Sequence, residues 1–192
     1  VDGTYNLKKT AKRIVKGKFL NAGQTCIAPD YIIVKENLKG EFIEVLSHEI
    51  SSVYGVPKSQ DKSEDLCRIV NRRHYDRLKT ILDENLESIV YGGGTDAENL
   101  FISPTILDIK SASSSIMKSE IFGPLLPVLP FKSNEDLCNI ISNFPSPLVI
   151  YVFSSSKSFV SEINENLDSG ATCINDVGIQ FLNHNLPFGG VG

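Results

Sequence analysis

Hydrophobic residues recur along the chain with two spacings, one typical of helices and one typical of strands. Helical spacing predicts helices over residues 7–19, 42–50, 66–82, 134–142 and 156–167. Runs of β-branched and apolar residues predict strands over residues 31–34, 88–91, 101–109, 125–131, 148–153 and 171–175. Because helices and strands alternate and several strands are apolar throughout, the sequence predicts an α/β fold in which a mostly parallel sheet is flanked by helices.

Prolines and glycines refine this prediction. Pro104 interrupts the segment 101–109 early, and Pro127 and Pro130 fall inside the segment 125–131. Since proline lacks the N–H group that a central strand donates, we expect 125–131 to be an edge strand or to carry a bulge. The three glycines at 92–94 predict a turn, because they are not part of a phosphate-binding G-x-G-x-x-G sequence. No repeat or linker divides the chain, so we expect one domain, residues 1–192.

Composition and charge exclude several classes of protein. Of the 192 residues, 41% are hydrophobic and 22% are charged, which is typical of a globular domain and excludes intrinsic disorder. The formal net charge is −4, so we expect no nucleic-acid partner, because such partners require a basic surface. No apolar run approaches the roughly 20 residues of a membrane-spanning helix.

Four cysteines, widely spaced, provide the first candidate chemistry. They are Cys26, Cys67, Cys138 and Cys173, a spacing that predicts no metal site. We expect free thiols, as in a reducing intracellular compartment, and most of them as small core residues. Cys26 differs because it lies in a loop between a predicted helix and a predicted strand. A thiol in such a loop is either a nucleophile or a packed core residue.

Three motifs relate the chain to a known family. The segment GKFLNAGQTCIAPDY at residues 17–31 closely resembles the nucleophile segment of the aldehyde dehydrogenase superfamily. EIFGP at 120–124 resembles the cofactor-contacting motif of that family, and LPFGG at 186–190 resembles its P-F-G-G motif. The motifs follow in family order over essentially the whole chain. The amino-acid sequences of the first and the last motif are most similar to those of the class 3 and fatty aldehyde branch of the family.

The resemblance implies the catalytic-domain fold of this family and a role for five residues. Cys26 would attack an aldehyde and form a thiohemiacetal and then a thioester, with NAD or NADP as cofactor. Glu120 would bind the nicotinamide ribose and Phe122 would lie near the nicotinamide. Asn175 and Phe188 are weaker candidates for the substrate pocket. The branch implies medium-chain or long-chain aliphatic aldehydes, or aromatic ones, as substrates.

Other parts of the family's machinery are not found in the sequence. By the same resemblance, the general base, an oxyanion-binding Asn and the cofactor-binding domain are expected upstream of residue 1, and a dimer-forming strand after residue 192. We therefore expect a catalytic domain excised from a longer chain, nearly inactive by itself. The parent would be a homodimer, and its choice between NAD and NADP and its association with a membrane stay open.

Two hypotheses from other classes stay open at this point. The chain could be a cysteine hydrolase or esterase that pairs Cys26 with His184, or a non-catalytic scaffold domain. Cys26 and Glu120 on one cleft would favour an enzyme, whereas burial of both in apolar packing would favour a scaffold.

Overall fold

The computed structural model describes the whole chain, Val1 to Gly192, as alternating helices and strands. The helices are α1 (Leu7–Phe19), α2 (Lys39–Tyr54), α3 (Arg72–Asp83), α4 (Asn134–Ser142), α5 (Lys157–Asn166) and α6 (Ile179–Leu182). The strands are β1 (Ile32–Lys35), β2 (Ile89–Tyr91), β3 (Thr95–Asp96), β4 (Phe101–Ile102), β5 (Thr105–Asp108), β6 (Leu125–Phe131), β7 (Ile150–Val152) and β8 (Thr172–Ile174). None of the helices combines the length and the apolar character needed to cross a bilayer.

Parallel pairing dominates the sheets. The main sheet has the strand order β1-β6-β5-β2, in which only β2 runs antiparallel to its neighbour. The strands β7 and β8 form a parallel pair, and β3 and β4 form a short antiparallel pair. The predicted α/β fold with a mostly parallel sheet is therefore confirmed.

Alternate residues of β6 face two different hydrophobic cores. Leu126 and Val128 pack with residues of α1 and α2, whereas Leu125 and Leu129 pack with residues of α3. This alternation follows from the two-residue period of a strand. Both faces of the sheet are covered by helices, which explains why the strand is apolar throughout.

The prediction of an edge strand at 125–131 was wrong, because β6 lies in the middle of the main sheet. Each proline is in register with one neighbouring strand only, Pro127 with Leu107 of β5 and Pro130 with Val34 of β1. Pairing of β6 with β1 begins at Val128, just after Pro127, and pairing with β5 ends at Val128, before Pro130. A central strand tolerates both prolines at these positions.

The third predicted helix begins later than the hydrophobic spacing indicated. Helix α3 starts at Arg72, after Asn71, whose side chain accepts a hydrogen bond from the backbone N–H of His74. Leu66 and Ile69 are buried, but they belong to an irregular segment that the backbone N–H of Ile69 ties to Leu100. Their three-residue spacing therefore comes from core packing rather than from a helix.

The first two residues lie between β1 and β7. The amine of Val1 donates to the carbonyl of Ile33 at 2.8 Å, and the N–H of Lys35 donates to the carbonyl of Val1 at 3.0 Å. On the other side, the N–H of Asp2 donates to the carbonyl of Phe153 at 3.4 Å. These bonds place the β7–β8 pair beside the main sheet.

Candidate active site

Parallel pairing brings the first two motifs of the sequence together. The Cys26 loop immediately precedes β1, and residues 120–124 immediately precede β6. Because β1 and β6 are parallel neighbours, the segments that precede them lie at the same edge of the sheet. The site is thus formed at the amino ends of these strands.

The backbone turns sharply between α1 and Cys26. Asn21, Ala22 and Gly23 all have positive φ angles, of 52°, 53° and 74°. Asn adopts the left-handed conformation more readily than other residues, but at Ala22 it costs about 1–2 kcal/mol. Strain of this kind concentrates at functional sites. The turn presents Cys26 as an exposed thiol.

The side chain of Gln24 fixes this turn in place. Its amide N–H donates to the carbonyl of Asn21 at 3.0 Å and to that of Arg68 at 3.1 Å, and its Oε1 accepts from the N–H of Val70 at 2.9 Å. One side chain therefore closes the turn and ties it to the segment before α3.

Two further contacts hold the residues that follow Cys26. The Tyr151 hydroxyl donates to the carbonyl of Ile27 at 2.7 Å. Burial raises the pKa of the Tyr151 phenol, so the hydroxyl keeps the proton that it donates. The carboxylate of Asp30 accepts from the N–H of Ile121 at 3.1 Å, which connects the Cys26 loop to the segment that contains Glu120.

The 120–124 segment is held mainly by α3. The Arg77 guanidinium donates to the carbonyls of Glu120 and Ile121, at 3.3 and 2.5 Å. Gly123 lies so close to the helix that an added Cβ would be 2.5 Å from Leu78. Phe122 has a positive φ of 48° and is half-buried. Glu120 itself is exposed, and its carboxylate makes no hydrogen bond or ion pair in the structure.

Cys26 and Glu120 line the same cavity, which has a volume of about 660 Å³ and mostly hydrophobic walls. The backbone N–H of Cys26 has no acceptor within the chain. A free N–H beside an exposed thiol can donate to an oxyanion that forms at the carbon attacked by sulfur. The arrangement therefore offers a nucleophile, a donor for the developing charge and an unpaired carboxylate in one place.

The other sequence candidates lie away from this cavity. The amide of Asn175 bonds both backbone groups of Ser154, at 2.9 and 2.8 Å, and so joins the ends of β7 and β8. Phe188 is exposed and packs edge-on against Phe181. His184 is exposed and does not line the cavity, so the structure does not pair it with Cys26.

Several residues that shape the site were missed by the sequence analysis. Gln24 and Asp30 lie inside the first motif but were given no role, and Arg77 and Tyr151 lie in elements distant along the chain. The signal for the first two was a polar side chain within four residues of Cys26. Arg77 and Tyr151 carried no local signal, because their contacts depend on the tertiary fold.

The four thiols differ in exposure, and the expectation that most are core residues was wrong. All four are free, as expected, but only Cys173 is buried, whereas Cys26 and Cys67 are exposed and Cys138 is intermediate. Burial raises the pKa of the Cys138 thiol, with a smaller effect from Glu162. Burial likewise raises the pKa of Cys173, and Asp176 adds to it.

We expect limiting iodoacetamide at neutral pH to modify Cys26 and Cys67 well before Cys138 and Cys173. Only thiolates react, and a raised pKa together with restricted access lowers the rate at the latter two. Peptide mass spectrometry over a time course measures the order. The variants Cys26→Ser and Cys67→Ser identify each fast site, and modification of Cys138 or Cys173 ahead of Cys26 would contradict the structure.

Fold and site together define an α/β domain that presents an exposed thiol and a carboxylate on one cavity, an arrangement suited to an enzyme with a thiol nucleophile. Residues 1–192 match the model of the aldehyde dehydrogenase family, and the chain belongs to this family. The chain is 43% identical over its whole length to a 4,4'-diaponeurosporen-aldehyde dehydrogenase from Staphylococcus aureus, of which it covers 41%. It thus spans about two fifths of that relative's length.

Two further comparisons agree. The chain is 37% identical to the bovine "Aldehyde dehydrogenase, dimeric NADP-preferring", of which it covers 79%. A solved structure described as the substrate-bound state of Staphylococcus aureus AldH superimposes with a TM-score of 0.94 at 41% identity, over 98% of this chain and 41% of that one. The fold is that of the aldehyde dehydrogenase catalytic domain.

Proposed function

We propose that residues 1–192 are the thiol-bearing catalytic domain of an NAD(P)-dependent aldehyde dehydrogenase, which oxidises aldehydes to carboxylic acids. The observation that carries this proposal is the common cavity of Cys26 and Glu120. Membership of the aldehyde dehydrogenase family supports the same reaction. A scaffold domain would not need an exposed thiol in a strained turn, held by several hydrogen bonds beside an unpaired carboxylate.

The chemistry of the chain's own groups centres on Cys26. Its thiolate adds to the carbonyl carbon of the aldehyde, and the new oxyanion accepts a hydrogen bond from the free N–H of Cys26. The carbon then loses a hydride and becomes the carbonyl of a thioester. Water cleaves the C–S bond, which releases the acid and returns the thiol. The nicotinamide cofactor, when bound, accepts the hydride.

The residues present fit such a cofactor. The Glu120 carboxylate has no partner within the chain, so it is free to accept hydrogen bonds from both hydroxyls of a ribose. Phe122, the other residue that the sequence analysis assigned to the cofactor, is half-buried two residues later with a positive φ, and it does not line the cavity. The bovine relative is named as preferring NADP, and NAD and NADP would offer Glu120 the same nicotinamide ribose.

For the substrate, we propose medium-chain or long-chain aliphatic aldehydes, or aromatic ones. The mostly hydrophobic lining of the cavity supports apolar substrates over charged ones. The Staphylococcus aureus relative is named as a dehydrogenase of 4,4'-diaponeurosporen-aldehyde, which supports an aldehyde as the class of substrate. A homodimer remains our proposal for the whole protein, supported by the word "dimeric" in the name of the bovine relative.

We expect the 192-residue chain alone to oxidise aldehydes far below the usual enzyme range of roughly 1–1000 per second. The Staphylococcus aureus relative is more than twice as long, and by family resemblance the general base comes from outside residues 1–192. A chimera in which this chain replaces the matching two fifths of that relative should oxidise aldehydes in the usual range. Formation of reduced nicotinamide, followed by absorbance with a series of alkyl aldehydes, measures both rates.

The rate of the chimera tests the proposed function, and the rate of the isolated chain tests whether residues outside 1–192 are needed. A folded chimera that binds cofactor but oxidises no aldehyde would overturn the proposed function. Rapid turnover by the isolated chain would instead overturn the expectation that catalysis requires residues outside 1–192. The hydrolase hypothesis predicts ester hydrolysis that is lost in both Cys26→Ser and His184→Ala, whereas the dehydrogenase keeps its aldehyde oxidation in His184→Ala.

A further inference from the structure

Cys26 is one of the two central residues of a reverse turn over residues 25–28. The N–H of Ala28 donates to the carbonyl of Thr25 at 2.9 Å and closes this turn, with Cys26 and Ile27 between them. The backbone angles of the two central residues define such a turn, so they also set the direction of the Cys26 N–H and of its thiol. A single hydrogen bond would leave the peptide unit between Ile27 and Ala28 free to pivot about its N–H.

The other end of this peptide unit is held by a side chain of β7. The Tyr151 hydroxyl donates to the carbonyl of Ile27 at 2.7 Å, and no other group of the chain donates to that carbonyl. The N–H and the C=O of the same peptide unit are thus bonded to two different partners. Tyr151 lines the cavity together with Cys26, although β7 pairs only with β8 and lies outside the main sheet. The shape of the turn therefore depends on an element distant along the chain.

Gln180 of α6 determines the direction of the Tyr151 hydroxyl. Its amide nitrogen Nε2 donates to the hydroxyl oxygen at 3.0 Å. A tyrosine hydroxyl has one proton, and the carbonyl of Ile27 can only accept, so the amide must present its N–H to the hydroxyl oxygen. The other amide atom, Oε1 of Gln180, is buried and has no hydrogen-bond partner. A buried acceptor without a partner opposes folding, and residues that break a local rule in this way are expected at functional sites.

We propose that Tyr151 is a positioning residue, which fixes the 25–28 turn through the carbonyl of Ile27 and so aligns the thiol and the N–H of Cys26, while Gln180 orients its hydroxyl. The proposal rests on the proposed function, since the alignment that it describes is that of a nucleophile and an oxyanion donor with an aldehyde. Gln24 holds the same loop from the segment before α3, so β7 supplies the second of two anchors.

The cofactor side of the site is held by other groups. Arg77 and Asp30 bond the backbone of the Glu120 segment, and the two hydrogen bonds of the Tyr151 hydroxyl go elsewhere. Loss of this hydroxyl should therefore disturb the attack on the aldehyde but leave the binding of the nicotinamide cofactor unchanged. A residue that only stabilises the fold would not separate the two.

The test is Tyr151→Phe, which removes the hydroxyl and keeps the ring, with Tyr91→Phe as the matched control. The Tyr91 hydroxyl also accepts from a glutamine amide, that of Gln60 at 2.9 Å, but it does not line the cavity. In the 192-residue chain we expect amide exchange at Ala28 to rise about tenfold in Tyr151→Phe, because the turn can then open locally. Tyr91→Phe should leave exchange at Ala28 unchanged.

The chimera provides the readout of the reaction. Loss of a whole oxyanion donor costs about 10²–10³ in rate, so a misaligned one should lower kcat/KM for the aldehyde by about tenfold in Tyr151→Phe. The KM for the nicotinamide cofactor should stay at the wild-type value. Gln180→Leu should give the same pattern with a smaller loss, because the hydroxyl is still present but no longer oriented. Tyr91→Phe should retain the wild-type kcat/KM.

Each outcome decides the proposal or the function. Unchanged exchange at Ala28 together with unchanged kcat/KM in Tyr151→Phe would overturn the positioning role. Equal losses in Tyr151→Phe and Tyr91→Phe, with faster exchange throughout the chain, would also overturn it, because the hydroxyl would then only stabilise the fold. A rise in exchange confined to the 25–28 turn, in a protein whose wild-type chimera oxidises no aldehyde, would support positioning and overturn the proposed function instead.

Discussion

Cys26→Ser in the chimera is expected to lower kcat for aldehyde oxidation by roughly 10³-fold or more, because removal of a nucleophile is among the costliest changes in an active site. A serine hydroxyl at this position keeps the shape of the loop but is not ionised at neutral pH. The loop contacts of Gln24, Tyr151 and Asp30 do not involve the sulfur, so we expect the fold to be unchanged. The rate of nicotinamide reduction at saturating aldehyde and cofactor measures the effect.

The matched control is Cys67→Ser, because Cys67 is also an exposed thiol but does not line the cavity. We expect this variant to retain the wild-type rate within about twofold, as surface substitutions away from special features change little. If Cys26→Ser retained a tenth or more of the activity while it remained folded, Cys26 would not be the nucleophile. Equal losses of kcat in Cys26→Ser and Cys67→Ser would indicate that replacing a thiol disturbs folding in general rather than the reaction.

The sequence predicted the order of helices and strands well, because the hydrophobic spacing reports burial. Two of the exceptions have one cause. Leu66 and Ile69 are buried in irregular backbone, and Pro127 and Pro130 lie in a central strand, so in each case tertiary pairing rather than local preference decided the outcome. Spacing shows that a residue is buried, but it does not show which backbone conformation buries it.

The candidate site was predictable to the extent that its chemistry lies in short motifs. Cys26 and Glu120 were identified in this way, and the structure brings both to one cavity. Lys18 lies inside the first motif as well and is fully buried, yet its burial could not be inferred, because a lysine normally occupies the exposed face of a helix. The role of Asn175 in joining β7 to β8 was hidden for a similar reason, since its partner Ser154 is 21 residues away.

Gly23→Ala should destabilise the fold strongly, because Gly23 is where the nucleophile loop touches the Glu120 segment. An added Cβ would lie 2.3 Å from the carbonyl oxygen of Gly123, and the φ of 74° is unfavourable for alanine. The strain and the overpacking together should cost about 2–5 kcal/mol. For a chain of this size that corresponds to a fall of roughly 5–15 °C in the unfolding temperature, measured by circular dichroism or calorimetry.

Gly40→Ala is the matched control, because Gly40 lies in α2 and an added Cβ there would meet nothing within 4 Å. Alanine in a helix is preferred over glycine by about 0.5–1 kcal/mol, so the unfolding temperature should rise slightly. If Gly23→Ala were as stable as the wild type, the two segments would not be packed as the structure has them. In a destabilised but folded Gly23→Ala variant, the backbone contact could relax only by separating the loop of Cys26 from the segment of Glu120. Aldehyde oxidation by the chimera should then fall, although neither of these two side chains has been altered.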